Sequence, residues 1–387
     1  MRPKPLSGVR VLDLTRLLPG PVATLHLADL GADVVKIEDT EAGDYSRRLG
    51  RVSDGMSDFF RMVNRNKRAL RLDLKQPRGR EVFFRLARGA EVVVESFRPG
   101  VMAALGVGYD AVAAVNPRIV YCSITGYGQD GPYAMRAGHD INYLGTAGVA
   151  DRIGTAEGPV VPNFQIADLL GGALTPVMGI LAALVDARSS GRGRHVDVAM
   201  TEAVFAHAIF PVLESPGPGK APARGSGMLD GGLPCYNVYR TRDGRYMAVG
   251  ALERKFWETL CDTLGCPELK DEHLVYGDEA KPVKRRLSAI FAARDQSEWT
   301  QLLAGADCCA SPVLTIDEAR ANEQLRARGM SFVEGGLTQL APPLKFSEFE
   351  FSVERPAPEP GGHSGEILRE AGYAESEIES LRRAGVI

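Results

Sequence analysis

The order of its apolar runs constrains this chain more than any single motif. From Val9 to Ile124, short β-branched strings alternate with longer helical ones. Val9–Leu14 reads as a strand, Pro21–Leu30 as a helix, and Asp33–Ile37 and Arg71–Leu74 as further strands. Pro77 opens a helix at its first turn, where a missing N–H costs nothing, and Glu81–Ala87 continue it. Glu91–Glu95, Val101–Val115 and Arg118–Ile124 repeat strand, helix, strand. This alternation implies βαβ units, hence an α/β fold on a parallel sheet.

Beyond it, Phe164–Ala187 reads as one long apolar helix and Arg194–Met200 as a strand entering another. Residues 211–234 are rich in Gly and Pro and read as a linker. Cys235–Arg240 and Arg245–Gly250 flank Thr241–Gly244, a hairpin signal with Asp-Gly in the turn. Glu253–Leu264, Pro282–Ala293 and Glu298–Leu303 then read as helices of a small α+β domain. The expected domains are 1–210, a linker over 211–234, 235–325, and a C-terminal segment over 326–387.

Composition removes several function classes. Lys+Arg is 46 against Asp+Glu 49, so no basic excess points to nucleic acid or an anionic membrane. A local basic patch for an anionic small molecule stays open. The six cysteines form no CxxC pair or zinc-like cluster, which suggests a cytoplasmic protein with reduced thiols and no metal site. The uncharged run Leu169–Val185 is broken by Gly171, Gly172 and Pro176 and is short for a membrane span, so a buried helix is expected. The turn after the first strand, RLLPGP, has one glycine where a dinucleotide fingerprint needs three. No P-loop or GxSxG motif is present.

Three places remain for chemistry. Gly138-His139-Asp140-Ile141-Asn142-Tyr143 follows a strand and a Gly/Pro-rich turn, at the sheet edge where open α/β folds place ligands. Asp168 enters the apolar helix near its start, where the dipole is expected to hold its carboxylate ionised. Glu253 lies where a strand of the small domain hands over to a helix. A satisfied histidine, an N-cap aspartate and a first-turn glutamate are the ordinary uses of such residues, and spacing alone does not decide.

Longer strings carry a resemblance. PLSGVRVLDLTRLLPGPVATLHLADLGADVVKIE, NKRALRLDLKQPRGREVF, ESFRPGVMAALGVG and NPRIVYCSITGYGQDGPY resemble, in order, the family III CoA-transferases of the CaiB/BaiF type. GHDINYLGTAGV, MLDGGLPCYNVYRTRDGRYMAVGALERKFW and SPVLTIDEA resemble its alpha-methylacyl-CoA racemase branch. NFQIADLLGG looks more like bacterial transferase relatives. The resemblance implies a large Rossmann-like domain, a small α+β domain and an intertwined homodimer with the site between domains.

It also implies site residues. His139 and Asp168 would together form one acid/base, with Glu253 acting from the other face. CoA would contact Leu72, Asp73, Leu74, Lys75, Ser96, Phe97 and Arg98, and also Gly138, Asp140, Ile141, Asn142 and Tyr143. Asp39 and Ala104 stand where relatives carry arginines, and Lys36, Arg47, Arg48, Lys67 and Arg68 could supply the missing charge.

The implied reaction is inversion at the α-carbon of a 2-methylacyl-CoA thioester by proton transfer through an enolate. Backbone amides at the start of the Asp168 helix would face the enolate oxygen. No cofactor is needed, since acyl-CoA is the substrate. The alternative is transfer of CoA between carboxylic acids through a covalent Asp168 intermediate. The run of four glycines expected of formyl-CoA-type transferases is absent, and Gly231-Gly232 is the nearest string.

Overall fold

The computed structural model describes residues 3–53 and 55–387. The chain divides into two compact units. The first comprises Met1–Ala147, Phe164–His207 and Ala327–Ile387; the second comprises Gly148–Asn163 and Ala208–Arg326. Residues 148–163, read from sequence with the first domain, group with the second unit.

The first unit is built on six parallel strands: β1 (Arg10–Asp13), β2 (Asp33–Glu38), β3 (Lys67–Arg71), β4 (Val92–Glu95), β5 (Val120–Thr125) and β6 (His195–Ala199). Their spatial order is β3-β2-β1-β4-β5-β6. This is the doubly wound order, in which the winding reverses between β1 and β4 and opens a crevice at their carboxyl ends. Val11, Leu12, Val34, Val35, Val92, Val93 and Val94 are at most 1% exposed, as expected of strands covered on both faces.

The helices α1 (Pro19–Asp29), α2 (Pro77–Ala87), α3 (Tyr109–Val115), α4 (Asp140–Thr146), α5 (Thr175–Ser190) and α6 (Met200–Ala206) belong to this unit. Three local readings are corrected. The strand expected at Arg71–Leu74 lies at Lys67–Arg71. Its two leading cations hid it, because both are buried in ion pairs. The helix expected over Val101–Val115 is two pieces, broken near Gly106 with φ +76°. The single helix expected from Phe164 begins instead as a π-helix, Ala167–Leu174, which continues into α5. Gly171 and Gly172 permit its close packing: a Cβ on the first would press on the Met200 backbone and one on the second on Pro19. By length and composition Ala167–Ser190 could cross a bilayer, yet Gly171, Ile180, Ala183 and Leu184 are buried within this unit.

The second unit carries an antiparallel sheet of β7 (Tyr236–Arg240), β8 (Tyr246–Gly250) and β9 (Ala310–Pro312). The Asp-Gly turn joins β7 to β8, with Arg240 opposite Tyr246. Helices α7 (Arg254–Leu264), α8 (Gly277–Phe291) and α9 (Gln296–Leu303) pack Trp257, Phe291 and Trp299 into its core.

Candidate active site

The first unit has a cavity of about 390 Å³ at the carboxyl ends of β1, β4 and β5. Its lining begins with the turn after β1. Asp13 is fully buried there and accepts from the Thr15 N–H at 2.9 Å, the Thr24 hydroxyl at 2.6 Å and Lys67 Nζ at 3.1 Å. Lys36, also fully buried, pairs with Asp44 at 2.8 Å and donates to the Thr15 carbonyl. Asp44 in turn accepts the Leu17 N–H at 3.3 Å. These bonds hold Leu17 at φ +68°, a left-handed conformation costing a branched residue roughly 1–2 kcal/mol. The lone glycine of this turn has a packing role, since a Cβ on Gly20 would collide with Thr15.

Arg16 leaves this turn and lines the cavity. Its guanidinium meets Asp39 at 2.6 Å and lies over the Phe97 ring, 5.2 Å from the centroid. Asp39 uses its other oxygen to accept the N–H groups of Glu41, Ala42 and Gly43. The residue standing in place of a family arginine therefore orients a different arginine. After β4, the Phe97 N–H donates to Glu95 at 2.8 Å, and the Ser96 hydroxyl accepts from the Arg16 N–H at 3.3 Å. Burial pushes Glu95 up to about 7, against hydrogen bonds from Ser123 and Phe97.

After β5, Tyr143 fixes the backbone. Its hydroxyl donates to the Gly138 carbonyl and its ring meets Tyr127 edge-on at 5.3 Å. A Cβ on Gly126 or Gly138 would strike that ring. Arg136, stacked 3.6 Å from the Tyr133 centroid, and the exposed Arg98 add two more guanidinium groups. The cavity thus holds the basic patch that the near-neutral composition left open.

Asp168 also lines the cavity and is 8% exposed. Its carboxyl is pushed up to about 7, first by burial and then by the nearby charge of Asp140. This reverses the expectation that a helix dipole holds it ionised: desolvation exceeds what a helix start supplies. His139 lines the same cavity at the N-cap of α4, and among the described residues no hydrogen bond joins its ring to Asp168. The amides expected to face an enolate are also engaged. The N–H groups of Ala167 and Asp168 donate to Asp140 Oδ1 at 2.7 and 3.0 Å. Among the described residues nothing accepts the N–H groups of Asp140 and Ile141, at the start of α4.

The structure therefore brings together Ser96, Phe97, Arg98, Gly138, His139, Tyr143 and Asp168. Leu72, Asp73, Leu74 and Lys75 do not line this cavity. Leu72 and Leu74 are in the core, Asp73 accepts from the Lys75 N–H, and the exposed Lys75 pairs with Glu41. Asp140, Ile141 and Asn142 stand outside the lining, with Asn142 accepting the His139 N–H.

Of the cations expected to replace the missing arginines, Lys36 and Lys67 are fully buried in the pairs above. Arg47 is bound to Glu38, and Arg68 to Asp33, Glu366 and Glu370. Arg48 is exposed but does not line the cavity. Sequence reading missed Arg16 and Arg136, which do. Arg16 was legible only as the residue following a strand end.

Glu253 belongs to the second unit, at the N-cap of α7, exposed and without a side-chain capping bond. It lies near Cys309, whose thiol is pushed up first by burial and then by that carboxylate.

Residues 6–364 match the CoA-transferase family III. The chain belongs to that family. Human alpha-methylacyl-CoA racemase is 36% identical, over 99% of this chain and 97% of its own length. Mouse succinyl-CoA:glutarate CoA-transferase is 34% identical, over 99% and 90%. A CaiB/BaiF family protein from Brucella suis superposes with a TM-score of 0.83 at 31% identity, over 96% of this chain and all of its own. Racemases and CoA-transferases of the family are thus both similar to this chain, and the family's members are enzymes.

Proposed function

We propose that the protein inverts the α-carbon of a 2-methylacyl-CoA thioester. One observation carries the choice between the family's two chemistries: Asp168 is buried and pushed up to about 7. A general base is most effective with a pKa near the working pH. A racemase group must take up a proton in one direction and return it in the other, which a pKa near neutrality serves, whereas a nucleophilic carboxylate uses only its ionised form.

Asp168 and His139 line one cavity without bonding to each other. They act as two separate groups, and imidazole titrates in the same range. One removes the α-proton and the other returns a proton to the opposite face. Arg16, Arg98 and Arg136 supply positive charge for the anionic CoA. Glu253, to which the family likeness gives the other face, is proposed to share the transfer on His139's face. The exposed apolar row Leu174, Met178 and Val185 on the helix that continues from Asp168 supports a homodimer.

The test uses single enantiomers. Asp168→Asn and His139→Ala should each lose removal of the α-proton from one enantiomer more than from the other. Glu253→Gln should slow racemisation about 100-fold or more, within the usual range for losing an acid/base. Equal loss for both enantiomers, or CoA transfer to an added acid at undiminished rate in Glu253→Gln, would contradict the proposal.

A further inference from the structure

Asp140 follows His139 directly, at the first position of α4, and does not line the cavity. Its carboxylate points the other way. Oδ1 accepts the N–H of Ala167 at 2.7 Å and the N–H of Asp168 at 3.0 Å. Those two amides open the π-helix, so no preceding turn offers them an acceptor. Ala167 is fully buried and Asp168 nearly so. Without Asp140, two donors would be stranded away from water at a cost of roughly 1–3 kcal/mol each.

This one oxygen joins the two segments that carry the cavity's titratable groups. His139 is fixed on the α4 side, where its N–H donates to Asn142 at 3.0 Å. Asp168 is fixed on the π-helix side through its own N–H. The charged or titratable groups around Asp168 are Asp140, Tyr45 and Tyr143, with His139, Arg16, Arg98 and Arg136 lining the same cavity. Of these, Asp140 alone is bonded to the Asp168 backbone among the described residues.

We infer that Asp140 is a positioning residue: its carboxylate sets the spacing between Asp168 and His139 and places a fixed negative charge behind Asp168. The inference rests on the reading of Asp168 as a group that exchanges the α-proton. A sub-ångström shift of either group would weaken alignment with a carbon held between them, and misplacement of about 1 Å can cost about 100-fold in rate.

The experiment compares full-length wild type, Asp140→Asn, Asp140→Ala and Asp168→Asn with one 2-methylacyl-CoA enantiomer. It reads kcat, KM and the pH profile of kcat, with circular dichroism to confirm folding. Asp140→Asn keeps an oxygen for the two N–H groups but removes the charge. Its acid limb should move to lower pH by roughly half to one unit, with kcat at the optimum within about 10-fold of wild type. Asp140→Ala loses both bonds, and kcat should fall about 100-fold with KM within about 3-fold. A residue that only supports the fold would lower the yield of folded protein and leave the pH limb where it is. Wild-type kcat and an unmoved limb in a folded Asp140→Asn, with Asp168→Asn inactive, would overturn the inference. If Asp140→Ala does not fold, the limb of Asp140→Asn decides. Full activity in Asp168→Asn would overturn the catalytic reading, and the positioning role with it.

Discussion

Replacing Asp168 by Asn should make the protein more stable while making it inactive, and the gain should grow with pH. The carboxyl moves from an ordinary 3.8 to about 7 on folding, chiefly through burial. The folded state therefore holds this proton more tightly than the unfolded chain. Between pH 3.8 and about 7 the unfolded state releases it first, so the stability contributed by this group falls as pH rises. The cost is near zero below pH 3.8 and complete above about 7. At about 1.4 kcal/mol per unit, it is roughly 2 kcal/mol at pH 5 and about 4 kcal/mol at pH 8.

Asn has almost the same shape and no charge, so Asp168→Asn removes this term. Urea unfolding of wild type and Asp168→Asn at pH 5, 6, 7 and 8 measures it. The chain has two compact units, so the difference is read on the transition of the unit that contains Asp168. The stability difference in favour of Asp168→Asn should widen by about 2 kcal/mol from pH 5 to pH 8. A difference that stays flat or narrows across that range would refute the reasoning, whatever its absolute size.

Three other outcomes follow from the same geometry. In wild type, kcat/KM for one enantiomer should fall tenfold per unit below about pH 7, because Asp168 must be ionised to accept a proton; an acid limb near pH 4 would contradict its burial. Arg16→Ala should raise KM for acyl-CoA about 10- to 100-fold with a small change in kcat, the loss of one charge-assisted contact, measured by steady-state kinetics. Gly126→Ala should destabilise the protein by roughly 1–3 kcal/mol in the same unfolding assay, because its Cβ would displace the Tyr143 ring.

The parallel sheet was legible because its central strands are continuous apolar runs at βαβ spacing, such as Val92–Val94. The strand Lys67–Arg71 was misplaced because its charge reads as surface, whereas Asp13 lies within the fold to receive Lys67. The π-helix left no mark in the apolar pattern of Phe164–Ala187. At the site, the residue types were legible and their electrostatics were not. A helix-start aspartate suggests stabilisation by the dipole, and only burial reveals that desolvation dominates for Asp168. The same holds for Asp39, read as a lost arginine, which instead orients Arg16 across a gap of 23 residues in sequence.

The most direct measurement of the central claim is made in deuterated water. Purified protein is incubated with one enantiomer of a 2-methylacyl-CoA and no second acid, with loss of the α-proton followed by NMR and inversion by chiral analysis. The account expects deuterium at the α-carbon together with the opposite enantiomer, with the inversion abolished in Asp168→Asn. An unexchanged α-proton, with CoA passing to an added carboxylic acid through a trapped Asp168 acyl adduct, would contradict it.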